Sequence, residues 1–173
     1  MDRTTFSFDL VDKYTPDIVI KKSLKQIEEA TKGYVAGHVE EYGGPISSYK
    51  KMVSYEQLVS AQTEQIDIQN DLGNQNDQVH KFEVFLTVKG LEYYKYRMMF
   101  VGYGSISYPV TIVMDEKLAA VYKGRLNKTF FLGSMQQVEE MMDLIINSDT
   151  MISFLQNLIN ESIRRENMDI NIG

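Results

Sequence analysis

Side chains that commonly carry out acid–base or metal chemistry are scarce in this sequence. The 173 residues include two histidines, His38 and His80, and no cysteine. The lack of cysteine excludes disulfides, thiolate metal sites and cysteine nucleophiles. On a strand, His38 and Glu40 would project to the same face, but a third metal ligand would have to come from His80 or a remote acid. We therefore predict no metal and no cofactor.

Two pairs of adjacent acids, Glu40-Glu41 and Asp115-Glu116, are the other candidates for acid–base chemistry. Catalytic carboxylates must converge on one substrate, whereas neighbours on a strand point to opposite faces. Asp115 and Glu116 precede a short helical pattern, where acids complement the helix dipole. No serine lies in a nucleophile elbow, and no phosphate-binding loop is complete. The pattern favours a non-catalytic protein, and a small hydrolase or isomerase using a carboxylate–histidine pair stays as an alternative.

Aromatic residues are concentrated in one segment, since five of the 11 tyrosines lie between residues 93 and 108. Tyrosine combines a large rigid ring with a polar tip, and methionine adds an adaptable apolar surface. Because side chains alternate along a strand, we expect Tyr94, Tyr96, Met98 and Phe100 to share one face. We predict a ligand- or partner-binding surface made of Tyr94, Tyr96, Met98, Phe100, Tyr103 and Tyr108. The competing interpretation is that these tyrosines are half-buried strand formers.

Hydrophobic periodicity predicts the elements that would position these residues. Period-two alternation and β-rich runs predict strands at 5–12, 34–42, 46–54, 79–89, 94–104, 106–114 and 129–132. Helical spacing predicts a helix at 16–32, a single turn at 115–120, and two helices between Ser134 and about Arg165 that are separated at Ser148-Asp149.

Three helix boundaries carry specific signals. Thr15 and Pro16 suit the N-cap and first position of the first helix, and Gly33 suits its left-handed end. Ser134 and Gln137 form a capping box at the start of the C-terminal helices.

The stretch 52–80 differs from the rest of the chain in composition, because it is rich in acids and amides and contains no Lys or Arg before His80. We predict that it is an acidic protrusion or mobile insertion in a single domain spanning 1–165, and its secondary structure is left open. Residues 166–173 are predicted to be a frayed tail.

The order of the elements indicates an α+β fold. We expect an antiparallel sheet of about five to six strands with an N-terminal helix and two C-terminal helices packed on one face. The opening strand–helix–strand–strand order is similar to that of small-ligand modules of the GyrI-like effector-binding type, and no motif is diagnostic of a family.

Charge and hydropathy limit the classes of partner. The formal net charge of -6 has the wrong sign for a non-specific binder of nucleic-acid backbones. No window approaches the ~18 apolar residues of a membrane span, and the first ten residues lack the apolar run of a signal peptide. We expect a cytoplasmic protein that binds neither nucleic acid nor membrane.

These observations predict a non-catalytic binding module for a small apolar or aromatic ligand, or for a protein partner, acting through the Tyr/Met-rich surface. An alternative is a homo-oligomeric accessory protein of a larger bacterial-type assembly. That alternative requires the apolar stripes of the C-terminal helices to be wider than one sheet can cover.

Overall fold

The protein is described by a computed structural model that covers residues 11–44, 80–124 and 127–172, with side chains to residue 168. The predicted strands at 5–12 and 46–54 and the tract at 52–80 lie outside these residues, except for Val11, Asp12 and His80. In chain order the elements are α1 (Pro16–Ala30), β1 (Val35–Glu41), β2 (His80–Val88), β3 (Leu91–Tyr103), β4 (Val110–Met114), α2 (Glu116–Lys123), β5 (Thr129–Leu132), α3 (Met135–Ile146) and α4 (Asp149–Ile172).

One antiparallel sheet organises the described residues. Its strands pair in the order β1-β2-β3-β4-β5, each antiparallel to the next. One face, here called the helix side, carries Val35, Val84, Leu86 and Ile112 and packs with α1, α3 and α4 into one apolar core. The other face, here called the opposite side, carries Glu83 and Phe85. The α+β class and the antiparallel sheet predicted from the sequence are confirmed.

Helix α1 lies directly on β1. It begins as predicted after Thr15, with Pro16 in its first turn, and it buries an apolar stripe that includes Ile20, Leu24 and Ile27. At its end the Thr31 hydroxyl donates to the Ile27 carbonyl oxygen (2.8 Å), and the oxygen of that hydroxyl accepts from the Val35 amide (3.1 Å). This side chain therefore satisfies polar groups of both the helix end and the first strand.

The predicted capping box at the start of α3 is present in modified form. The Ser134 hydroxyl accepts from the Gln137 amide (3.2 Å), as expected for an N-cap residue. The Gln137 side chain, however, accepts from the amide of Gly133 (2.6 Å) rather than from that of Ser134. Both bonds satisfy amides that the helix itself leaves without partners.

A Ser134→Ala substitution tests this cap. We expect the free energy of unfolding to fall by about 1 kcal/mol, because the Gln137 amide loses its acceptor. Urea unfolding followed by circular dichroism measures the change. A Ser105→Ala variant, in an exposed loop, is the control, and equal stability of the two variants would contradict the role of the cap.

The two C-terminal helices are separated where the sequence predicts. The Ser148 hydroxyl accepts from the Met151 amide (3.1 Å) as α4 begins. That helix continues to Ile172, beyond the end predicted at Arg165 and through most of the segment predicted to be frayed. Glu161 pairs with Arg164 (2.6 Å) and Arg165 (3.3 Å), and such pairs within a helix support its continuation.

Candidate functional site

A β-bulge in β3 divides the predicted tyrosine surface between the two sides of the sheet. Val84 pairs with Met99 but Phe85 pairs with Arg97, so Met98 is an extra residue in β3. Tyr96 consequently lies on the helix side. Phe100 pairs with Glu83 and therefore lies, like Glu83, on the side of the sheet that faces away from the helices. The prediction that Tyr94, Tyr96, Met98 and Phe100 share one face is wrong, because a bulge interrupts the alternation on which it depends.

The six predicted site residues are largely occupied by contacts within the fold. Met98, Phe100 and Tyr103 are buried, whereas Tyr94, Tyr96 and Tyr108 are half-buried against the core. The Tyr96 hydroxyl donates to Asp115 (2.7 Å), and its ring centroid lies 4.6 Å from that of Phe154. Asp115 also caps α2 by accepting from the Lys117 amide (3.2 Å). This acid therefore has a structural role.

Two of these tyrosines hold the start of α1 against the rest of the fold. The Tyr103 hydroxyl donates to Asp17 (2.8 Å), and the Tyr108 hydroxyl donates to the Tyr14 carbonyl oxygen (2.9 Å). Burial, followed by the nearby carboxylate of Asp17, raises the pKa of Tyr103 to about 12. Burial and neighbouring acids raise the pKa of Tyr108 to about 12 as well. Both hydroxyls are therefore protonated donors at neutral pH.

A groove of about 270 Å³ lies between α1 and α3. It is lined by Tyr14, Val19, Lys22, Ser23, Gln26, Glu139 and Asp143, so none of the six predicted site residues is in its wall. Tyr108 nevertheless helps to position the groove, because its hydroxyl donates a hydrogen bond to the backbone carbonyl oxygen of Tyr14, which lines the groove. Ser23 is buried, whereas the charged residues of the wall are exposed at its rim. We call this cavity the α1–α3 groove.

The α1–α3 groove has charges of opposite sign on its two walls. Lys22 on α1 places its Nζ 3.4 Å from the centroid of the Tyr14 ring. Glu139 and Asp143, four residues apart on α3, supply carboxylates to the other wall. Within the described part of the chain, none of the three charged groups takes part in an ion pair or a side-chain hydrogen bond. Lys22 contacts the Tyr14 ring, and all three charged side chains are exposed at the groove.

The opposite side of the sheet carries a separate charged cluster around Glu83. Its carboxylate contacts Lys95 (2.9 Å) and Arg97 (2.6 Å), and only 8% of the side chain is exposed. Burial alone would raise the pKa of Glu83, but hydrogen bonds and charge from Lys95 and Arg97 outweigh it and hold that pKa below its usual value. The two cations also lie over aromatic rings, Lys95 over Phe85 and Arg97 over Phe100.

The two histidines lie on different sides of the sheet. His38 pairs with Phe85 on the opposite side, stacks on its ring at 4.9 Å and shares a 2.7 Å hydrogen bond with Thr87. His80 lies beside the ring of Tyr103, on the helix side. They therefore cannot ligate one ion. Among the described residues, no three His, Asp or Glu side chains are grouped as metal ligands would be.

Sequence reasoning missed the α1–α3 groove. The spacing of Glu139 and Asp143 places them on one helix face and could have been noticed. The proximity of these two acids to Lys22 could not have been noticed in the sequence, because it depends on how two helices more than a hundred residues apart in sequence pack together.

None of the helices in the described ranges is long and apolar enough to cross a membrane. Comparison of the chain with protein-family models, curated proteins and solved structures found no match in any of the three.

Proposed function

We propose that the protein is a non-catalytic binding module, and that the α1–α3 groove binds a small molecule carrying both a positive and a negative charge. The observation that supports this proposal is that one cavity combines the ammonium of Lys22 with the carboxylates of Glu139 and Asp143, none of which forms an ion pair within the described residues. A ligand ammonium would contact the two acids of α3, and a ligand carboxylate or phosphate would contact Lys22.

The dimensions and exposure of the groove limit the ligand. A volume of about 270 Å³ is at the lower end of ligand pockets, which suits a molecule the size of an amino acid. The charged groups are exposed, so water and salt screen them and each contact adds little affinity. We expect a dissociation constant in the range of about 0.1 to 1 mM, which corresponds to roughly 4 to 5.5 kcal/mol of binding free energy.

The proposal keeps the binding-module prediction made from the sequence but changes the ligand and its place. The Tyr/Met-rich segment favours an apolar ligand, yet its side chains are mostly engaged inside the fold. The groove is rimmed by charges of both signs, which favours a zwitterion. Tyr103 and Tyr108 then serve as positioning residues that fix α1. No observation on the described residues favours the hydrolase or isomerase alternative, since the described side-chain contacts of the two histidines are with Thr87, Phe85 and Tyr103 and not with a carboxylate.

Thermal-shift measurements with the twenty common amino acids, simple amines and simple carboxylates test the proposal. A ligand that binds only the folded state raises the unfolding midpoint. We expect at least one amino acid to do so in the unmodified protein and to lose the effect in a Glu139→Gln/Asp143→Asn variant and in a Lys22→Met variant. Lone amines and lone carboxylates should have smaller effects, because each engages only one wall.

Glu140→Gln is the matched control, because Glu140 is an exposed acid on the same helix but does not line the groove. This variant should respond as the unmodified protein does. An unchanged midpoint throughout the panel, or equal shifts in the groove variants and the control, would contradict the proposal.

A further inference from the structure

The first half of helix α4 has an exposed face without charge. Residues 150–160 include no Asp, Glu, Lys or Arg, although 24% of the chain is charged. The stretch is not fully buried, since Ile152 is 55% exposed and Ser153, Gln156 and Asn157 are also exposed. Further along the helix, Ile163 is 39% exposed. A surface helix usually carries charge on its solvent face, whereas the centres of protein interfaces are depleted of charge.

Three isoleucines and a glutamine on one side of α4 form a regular seam, in which Ile159 is half-buried against the chain's own core. Ile152, Gln156, Ile159 and Ile163 follow one another at intervals of four, three and four residues, which is the spacing of a coiled-coil contact line. The helix packs on its own core through a neighbouring line of buried residues: Met151, Leu155, Leu158 and Ser162. Apolar residues of α4 therefore extend beyond the line that packs on the chain's own core, as the homo-oligomer alternative requires.

We propose that α4 pairs antiparallel with α4 of a second copy of this chain, around a two-fold axis between Gln156 and Ile159. The spacing of four, three and four reads the same in both directions along the helix. Antiparallel pairing therefore places Ile152 against the partner subunit's Ile163, and Gln156 against the partner subunit's Ile159. A two-fold interface requires such a self-complementary surface.

The uncharged stretch of α4 lowers the electrostatic repulsion between two copies at this face. Each chain carries a formal net charge of -6, so two copies repel one another when charged surfaces meet. The uncharged stretch 150–160 removes like-charge contacts from the centre of the pair. At the ends of the pair, Asp149 meets the partner subunit's Glu166, and these two carboxylates repel one another. Lys89 lies 3.9 Å from Glu166 within each chain, and its positive charge offsets that repulsion.

Light scattering coupled to size-exclusion chromatography tests the pairing with the full chain. We expect twice the monomer mass for the unmodified protein, and the monomer mass for an Ile152→Glu/Ile163→Glu variant with unchanged helical circular dichroism. Asn157→Glu adds a charge to an exposed position of α4 outside the seam and should remain dimeric. A monomeric unmodified protein, or a dimer that survives both seam substitutions, would overturn the proposal.

Engineered cysteines test the direction of the pairing independently, and the natural chain offers no competing thiol because it has no cysteine. An Ile152→Cys/Ile163→Cys variant should form a covalent dimer on mild oxidation. The single Ile152→Cys variant should not, because antiparallel pairing separates the two copies of that position by about 16 Å along the helix axis. Efficient cross-linking of the single variant would indicate parallel pairing and refute the proposed interface.

Discussion

Replacing Glu83 with alanine is expected to lower the free energy of unfolding by about 2–3 kcal/mol, because two cations then lose their shared buried partner. Lys95 and Arg97 contact the Glu83 carboxylate, and their own side chains are 43% and 36% exposed. They can regain water after the substitution, so the loss should be below that of a fully buried pair. Urea unfolding followed by circular dichroism measures the change.

The stabilisation by Glu83 should depend on pH in a defined direction. Burial raises the pKa of this carboxyl, but Lys95 and Arg97 lower it further, so the folded-state pKa lies below the ordinary 4.5. A lowered folded-state pKa stabilises the fold at pH above the unfolded-state value, and the stabilisation is lost as pH falls through the folded-state value. The stability difference between the unmodified protein and Glu83→Gln should therefore be largest near neutral pH and shrink in acid below about pH 4.5.

Glu161→Ala is the matched control for Glu83→Ala. Glu161 also contacts two cations, Arg164 and Arg165, but it lies on the exposed surface of α4. Exposed pairs contribute little to stability. Equal effects of the two substitutions, or a Glu83→Gln difference that grows as the pH falls, would contradict the role assigned to the buried carboxylate.

Replacing Gly37 with alanine is expected to lower the free energy of unfolding by about 1–3 kcal/mol, because no space is available for the added methyl group. A Cβ atom at position 37 would lie 2.7 Å from Cβ of Leu24, a residue of α1 that is fully buried. The first strand and α1 would have to move apart. That displacement would reach the α1–α3 groove, because α1 forms one of its walls.

Gly43→Ala is the control for this substitution, since nothing lies within 4 Å of a Cβ atom built at Gly43. Urea unfolding should show little change for Gly43→Ala and a clear loss for Gly37→Ala. Indistinguishable unfolding curves for the two variants would show that the packing of α1 on β1 is looser than described.

Most of the elements in the described residues could be predicted from the sequence, because local patterns determine them. The apolar spacing of α1, the alternation in β2 and the serine caps of α3 and α4 are properties of neighbouring residues. The bulge at Met98 is not such a property. The carbonyl oxygen of Met98 accepts a hydrogen bond from the amide of Asp115 (2.8 Å), which lies at the junction of β4 and α2. The local geometry of β3 therefore depends on a distant segment.

The candidate site was less accessible to prediction than the fold. A tyrosine-rich strand suggests a surface, but Tyr103 reaches Asp17 and Tyr108 reaches the backbone of Tyr14 only after the chain has folded. Likewise, no local pattern indicates that Lys22 faces the acids of α3 across a cavity. The lack of cysteine and the presence of only two histidines favour binding over catalysis as an expectation, whereas the groove proposed as the binding site depends on how α1 packs against α3.

The most direct test of the proposed binding module is a nuclear magnetic resonance titration that follows backbone amide shifts of the labelled protein. The amino acid that raises the unfolding midpoint most is added in steps. We expect saturable shifts concentrated in the residues lining the α1–α3 groove, with a dissociation constant in the range of about 0.1 to 1 mM. Shifts concentrated instead in residues 93–108, or no saturable shifts in the groove, would contradict the assignment of the binding site.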